Sequence, residues 1–271
     1  MDNQTKEKKE KKMSNSTVQY HSQAASYEAG SKNQQGVGIR MINMLNVEKG
    51  ATVLDLGCGT GCLTKVLSER VGPEGKVVAV DPDGERLKIA RENHSASNIE
   101  YIQADDQTFP PGQYDLIFCN IVIHWIRDKK AALERIYENL RPGGCFAFTT
   151  SDGDLPVPEI GKEVFNKLVG PNFLNRIFKE KLMHLEASEY ERLGSAAGFI
   201  QTSMTIQPDY PKWNNLDQYI DAMYGWFQGE FDPAEFDQEK FQEIKREYGN
   251  APVTPSEPIN HIHAMFIKPI Y

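Results

Sequence analysis

At 271 residues, with 39% hydrophobic and 10% aromatic side chains, the chain has material for one substantial core, and two independent domains would be cramped. No run approaches the roughly 18 apolar residues of a membrane span, and a formal charge of -8 works against general binding to a nucleic-acid backbone, which takes concentrated Lys and Arg. The expectation is a water-soluble cytoplasmic protein acting on a small molecule, with no nucleic-acid or membrane partner and an oligomeric state that composition does not address.

Residues 1–16 read as a disordered basic tail. Lys6, Lys8, Lys9, Lys11 and Lys12 are interleaved with Glu7 and Glu10, and the apolar stretch of a secretory signal is missing. One domain is expected over 17–271. Cys58, Cys62, Cys119 and Cys145 fall in or beside predicted strands and a glycine loop rather than at metal-ligand spacing, so reduced thiols and no metal are expected.

From Ala51 onward, short β-branched runs alternate with helical patterns, the signature of a doubly wound α/β sheet covered on both faces. Strands are predicted near 51–56, 76–80, 99–103, 114–119 and 144–150. Between them, Leu63, Val66 and Leu67 give residues 62–71 the spacing of a helix packed on a sheet, and 84–94 and 129–140 behave similarly. Arg141-Pro142-Gly143-Gly144 is read as the stop of the last of these helices.

Past Asp152 the rhythm breaks, with Pro156, Pro158 and Pro171 in a stretch of loops and short helices. A helix at about 186–198 leads into a strand at 200–206, an aromatic and acidic helical segment occupies about 214–248, and the last strand covers 262–268. The predicted fold is therefore a Rossmann-like, seven-stranded, mostly parallel sheet with a helical insertion or lid. Its core covers about 35–151, 186–206 and 262–271, and acceptor-side insertions cover about 152–185 and 207–260.

The chemistry starts at Val53-Leu54-Asp55-Leu56-Gly57-Cys58-Gly59-Thr60-Gly61. Here a buried strand turns into a helix through glycines, whose N–H groups at 57, 59 and 61 are expected to approach a ligand without Cβ obstruction. Nicotinamide enzymes use a similar turn, but Asp55 puts a carboxylate inside it, which would repel a pyrophosphate and suit the ammonium or water shell of a methionine moiety. Asp81 ends the next strand, where a carboxylate can accept from both ribose hydroxyls, and Asp105-Asp106 follow the third. The fourth ends in Cys119-Asn120. Any one of these could be a solvated loop residue; together they sit at successive strand ends, on the edge where open α/β sheets bind ligands.

In these motifs the chain resembles the class I S-adenosylmethionine-dependent methyltransferases of the small-molecule type, over about residues 35–151. The resemblance implies S-adenosylmethionine as cofactor and S-adenosylhomocysteine as product. It implies Asp55, Gly57, Cys58 and Gly59 at the methionine end, Asp81 on the ribose, Pro82 or Asp83 beside the adenine, Asp105 and Asp106 toward its amino group, and Asn120 with Ile121 at the methyl end. Asn120-Ile121-Val122-Ile123-His124-Trp125-Ile126 is similar to the matching stretch of trans-aconitate and juvenile hormone acid methyltransferases, which methylate carboxylates.

Methyl transfer from a sulfonium is an in-line displacement in which positioning and desolvation do much of the work. A carboxylate oxygen or an amine nitrogen is the expected acceptor, and a hydroxyl or carbon acceptor would need a base. His124 and His21 are the candidate bases, with a purely packing role as the alternative for each. Tyr20, Tyr27, Trp125, Tyr224 and Trp226 are candidate acceptor contacts, against the alternative that they are core. His261 and His263 alternate at the start of the last strand and would share a face. A nicotinamide oxidoreductase and a non-catalytic cofactor-binding module are the competing functional readings.

Overall fold

A computed structural model describes residues 32–227 and 230–270. Seven strands, β1 (Thr52–Leu56), β2 (Lys76–Asp81), β3 (Ile99–Gln103), β4 (Tyr114–Asn120), β5 (Leu140–Ser151), β6 (Ile200–Asp209) and β7 (Ile259–Ile267), form one sheet in the order β3-β2-β1-β4-β5-β7-β6. Only β7 is reversed, lying antiparallel to both β5 and β6. The order turns back between β1 and β4, so a crevice opens at their carboxyl ends.

Central strands buried on both faces need continuous apolar runs rather than alternation, and Val53-Leu54 in β1 and Val77 to Val80 in β2 supply them. On one face, α1 (Lys32–Met44) and α2 (Cys62–Val71) pack Met41, Ile42, Leu63 and Leu67 onto Val53, Leu116 and Phe118. On the other, α4 (Lys129–Asn139) and α7 (Ala187–Ala196) pack Leu133, Ile136 and Tyr190 onto Phe146, Phe148 and Phe266. Between β2 and β3, α3 (Gly84–Asn93) starts at Asp83, whose carboxylate accepts from the N–H groups of Glu85 and Arg86.

The insertions build a second core beyond the strand ends. It is made by α5 (Glu159–Leu168), α6 (Phe173–Arg176), a wide π turn (Ile177–Leu182), α8 (Leu216–Trp226) and α9 (Gln238–Tyr248). Phe231 sits edge-on to Phe165 at 5.1 Å and to Phe173 at 5.7 Å between ring centres. Each such ring removed from water contributes about 1.5–3 kcal/mol, which holds these short helices against one another.

Several boundaries differ from the sequence expectation. Arg141 to Gly144 belong to β5 rather than to a helix stop, because Gly143 donates to Lys268 O and Lys268 donates to Gly144 O, while a register shift opposite Tyr114 and Leu116 absorbs the turn. The predicted 214–248 helix breaks after Trp226 and resumes at Gln238, and β6 and β7 extend to Asp209 and back to Ile259. Helix α1 was not anticipated. The basic tail 1–16 lies outside the described residues.

Candidate functional site

The loop between β1 and α2 is strained into shape by glycine. Gly57, Gly59 and Gly61 have φ of 79°, 56° and 85°, and a Cβ on Gly57 would stand 2.4 Å from Val122 Cγ2. The loop does not present its N–H groups to a ligand as expected. Gly57 and Cys58 both donate to Val80 O (2.8 and 2.9 Å), Gly59 donates to Asp81 Oδ2 (2.8 Å) and Gly61 to Cys58 O (3.0 Å). Strand β2 takes the N–H groups of Gly57, Cys58 and Gly59, and the loop itself takes that of Gly61, so these four are not offered to an anion.

Beneath the loop lie two buried acids. Asp55 accepts from the Thr64 hydroxyl at 2.6 Å. Burial pushes its carboxyl up to about 7, with the Thr64 hydrogen bond opposing and the Asp81 charge adding to the rise. Asp81 accepts from Gly59 N and, through Oδ1, from Asp83 N at 2.9 Å. Burial raises it too, against the pull of Arg86 and those two N–H groups. Two carboxylates in one dry corner disfavour an anion and favour a cation.

At the end of β4, Asn120 donates to Gln34 O of α1 (3.1 Å) and accepts from Thr149 Oγ1 (2.7 Å), clamping the start of α1 over the crevice. The next residue, Ile121, has φ 53°, rare for a β-branched side chain. Its N–H is held by both Thr149 O (3.0 Å) and Thr149 Oγ1 (3.1 Å). Backbone strain of this kind persists only where the surroundings enforce it, and it gathers at ligand sites.

A cavity of about 90 Å³ opens here, walled by Gly57, Asp81, Pro82, Ile121, His124, Trp125 and Trp226. A smaller lobe of about 40 Å³ lies against Asp55, Gly57, Cys58, Gly59 and Asn120. Gln34 and Gly57 belong to both, so the two form one site running along the strand ends.

The other sequence candidates divide. Asp83 caps α3. Asp105 uses Oδ1 on the N–H groups of Gln107 and Thr108 and on the Thr108 hydroxyl, and neither it nor Asp106 reaches the wall of either lobe. Asp106 is half-buried, which raises its carboxyl. Tyr224 turns away to pack on Phe231 at 5.6 Å. His21, Tyr20 and Tyr27 lie outside the described residues.

His124 hydrogen-bonds Thr150 Oγ1 through Nδ1 (3.1 Å) and stacks on His184, ring centres 4.3 Å apart. Burial holds His124 well below its usual range and His184 down at about 4, so both rings are neutral near pH 7. Among the described residues, no group of three or more His, Cys, Asp or Glu is arranged to hold a metal ion. Sequence reasoning missed His184, Leu182, Asp209 and Gln34, which also line the cavity. It noted His261 without assigning it to the site.

A family model described as a methyltransferase domain matches residues 47–210. The ubiquinone/menaquinone biosynthesis C-methyltransferase of Cronobacter sakazakii is 31% identical over 205 residues, covering 70% of this chain and 75% of that one. The demethylmenaquinone methyltransferase of Staphylococcus carnosus is 33% identical over 162 residues, 58% of this chain and 65% of the relative. The match thus spans just under two-thirds of that relative. The trans-aconitate 2-methyltransferase of an Azoarcus species is 41% identical over 102 residues, 37% of this chain and 39% of the other. Among solved structures, an S-adenosylmethionine-dependent methyltransferase from Mesorhizobium loti superposes with a TM-score of 0.55 at 19% identity, covering 86% of this chain and 99% of that one. Phosphoethanolamine N-methyltransferase 2 of Haemonchus contortus, in complex with S-adenosyl-L-methionine, gives 0.58 at 17% identity, 94% of this chain and 61% of that one. These structural likenesses concern the fold.

Proposed function

Because the chain belongs to the methyltransferase family, we propose that it transfers the methyl group of S-adenosylmethionine to a small-molecule acceptor, as a cytoplasmic enzyme without nucleic-acid or membrane partners. The observation that carries this reading is the acid pair Asp55 and Asp81 beneath a glycine loop whose own N–H groups are already hydrogen-bonded. A cationic ligand relieves that pair. A dinucleotide pyrophosphate would meet two acids and none of the donors at Gly57, Cys58, Gly59 and Gly61, which argues against the nicotinamide alternative.

The donor, when bound, supplies an electrophilic methyl carbon on a sulfonium. Asp55 and the open faces of Gly57, Cys58 and Gly59 would hold its methionine end, Asp81 would accept from the ribose, Pro82 would flank the adenine, with Asp105 and Asp106 on that side but beyond the wall of either lobe, and Asn120 with Ile121 would border the methyl end. Trp125 and Trp226 exclude water from the acceptor side, and His124 contributes to its wall as a neutral, hydrogen-bonded ring. The relatives' printed substrates, a quinone precursor and trans-aconitate, indicate acceptors of metabolite size.

Calorimetry with S-adenosylmethionine, S-adenosylhomocysteine and NADH tests the reading. Binding of the first two and not the third is expected. Failure of both sulfur compounds to bind would sink it.

A further inference from the structure

We infer that His261 and Asp209 form a general-base dyad on the acceptor wall, and that the acceptor is a neutral aromatic molecule presenting a hydroxyl group. The inference rests on the reading that a sulfonium methyl donor occupies the glycine-loop lobe.

His261 is the third residue of β7 and Asp209 ends β6, and both line the cavity together with Gly57 and Asp81. In the sheet, Asn120 is paired to Thr149 and Ser151 to His261, so His261 stands two strands across and two residues beyond the end of β4, about 12 Å backbone to backbone at the usual spacings, on the same edge of the sheet. His261 is 8% exposed, and its Nε2 faces Asp209 Oδ2 at 3.7 Å. With Nε2 carrying the proton toward that carboxylate, Nδ1 offers a lone pair, and this buried atom has no hydrogen-bond partner among the described residues.

The other groups around the dyad leave this role to it. At His124 and His184 burial disfavours the imidazolium that a base must become, and among the described residues neither has a carboxylate within 4 Å to balance it, as His261 has. His263 lies behind on the same strand face. Arg40 approaches Asp209 from α1 only to 4.0 Å and is half-exposed, so it does not displace the histidine.

The wall also selects the acceptor. Among the described residues it contains no lysine and one arginine, Arg86, which stands at the Asp81 end with Asp83 at 3.4 Å. Lys129 lies outside the wall, its Nζ tied to Ile126 O at 2.8 Å. Among the described residues, therefore, the one cation of the wall that a carboxylate acceptor would meet is Arg86, already paired to Asp83. Trp226 Nε1, on the same wall, is a buried donor with nothing to donate to among the described residues. It calls for an acceptor atom on the ligand, which an ammonium lacks and a hydroxyl oxygen has. Trp125, Trp226, Phe227 and Leu182 supply the apolar surface for a ring.

In the step, the hydroxyl proton passes to Nδ1 of His261 as the oxygen's electron pair forms the bond to the methyl carbon. The electron pair of the breaking carbon–sulfur bond stays on sulfur, and the imidazolium left on His261 is balanced by Asp209.

The test uses 4-nitrophenol, whose phenolate is coloured, titrated into the full-length protein saturated with S-adenosylhomocysteine at a pH below the dye's own ionisation. The phenolate band should appear on binding and fall at least about tenfold in His261→Gln, in line with the 10²–10⁴-fold that general bases contribute. Asp209→Asn should give an intermediate band, and 4-nitrobenzoate should not compete. S-adenosylhomocysteine affinity within about twofold of wild type in both variants certifies their fold. No band in the wild type, the same band in His261→Gln, or competition by 4-nitrobenzoate overturns the dyad. Failure of the wild type to bind S-adenosylhomocysteine strikes the cofactor reading instead.

Discussion

The Asp81 carboxylate accepts the backbone N–H of Gly59 at 2.8 Å, fastening the tip of β2 to the loop that follows β1, and accepts Asp83 N–H with its other oxygen. The residue proposed for the ribose is thus also the buckle of the loop. Asp81→Ala leaves two buried donors unpaired, each worth about 1–3 kcal/mol. We expect a lower ligand-free melting temperature along with weakened S-adenosylmethionine binding. A variant that binds weakly but melts like wild type would show that the loop does not depend on this carboxylate.

Asp55 links the site to pH. Its carboxyl is raised from 3.8 to about 7 in the folded protein, so the group favours folding below pH 4 and that contribution is lost as pH climbs through about 7. The gap is worth about 4 kcal/mol at 1.36 kcal/mol per unit. Asp55→Asn, which keeps an acceptor for Thr64, should flatten the fall in melting temperature over that window. A wild-type profile unaltered by the substitution would contradict the buried, protonated carboxyl.

Cation binding should reverse that protonation. S-adenosylmethionine bound near pH 7 is expected to expel about half a proton from Asp55, visible by calorimetry as an enthalpy that varies with the ionisation heat of the buffer. Asp55→Asn should abolish the variation. An equal variation in both proteins would assign the proton to another group.

Gly57 has no room for a side chain, since its Cβ would overlap Val122 and its φ of 79° disfavours any L-residue. Gly57→Ala should cost at least about 1–3 kcal/mol. Adding Val122→Ala removes the clash but not the backbone strain, so only part of the loss should return in denaturant titrations. Full recovery would mean the strain at this φ is negligible.

Ile121 offers the opposite case. Ile121→Gly relieves about 1–2 kcal/mol of left-handed strain while removing a half-buried side chain from the cavity wall. The variant should unfold at close to the wild-type denaturant midpoint yet bind S-adenosylhomocysteine less tightly. Unchanged affinity would remove Ile121 from the cofactor contacts.

The polar residues at or beside the strand ends were legible because central parallel strands must be continuous apolar runs in which polar residues stand out, as Asp55, Asp81 and Asn120 do. The glycine loop was legible too, but the use of its N–H groups was not, since Val80 O and Asp81 reach it from another strand. Helix α1 escaped notice because Lys32 to Met44 buries only part of one face and its first turns are polar. His184 and Asp209 carry no local signal. They become part of a wall only through the π turn and the β6–β7 pairing, which bring residues far apart in sequence to one place. Tyr224 misled because an aromatic stripe on a helix looks the same whether it faces a ligand or a second core.

The reversed strand β7 sits between β5 and β6, and β6 has no other partner in the sheet. During synthesis, β6 must therefore wait about fifty residues for the segment that will hold it, as its terminal residue Asp209 pairs with Ile259. The donor half of the crevice, built from β1, β2 and β4, can assemble on the nascent chain well before then. On the proposed reading, the nucleoside side of the crevice can close before the acceptor wall, whose pairing waits on a long loop closure.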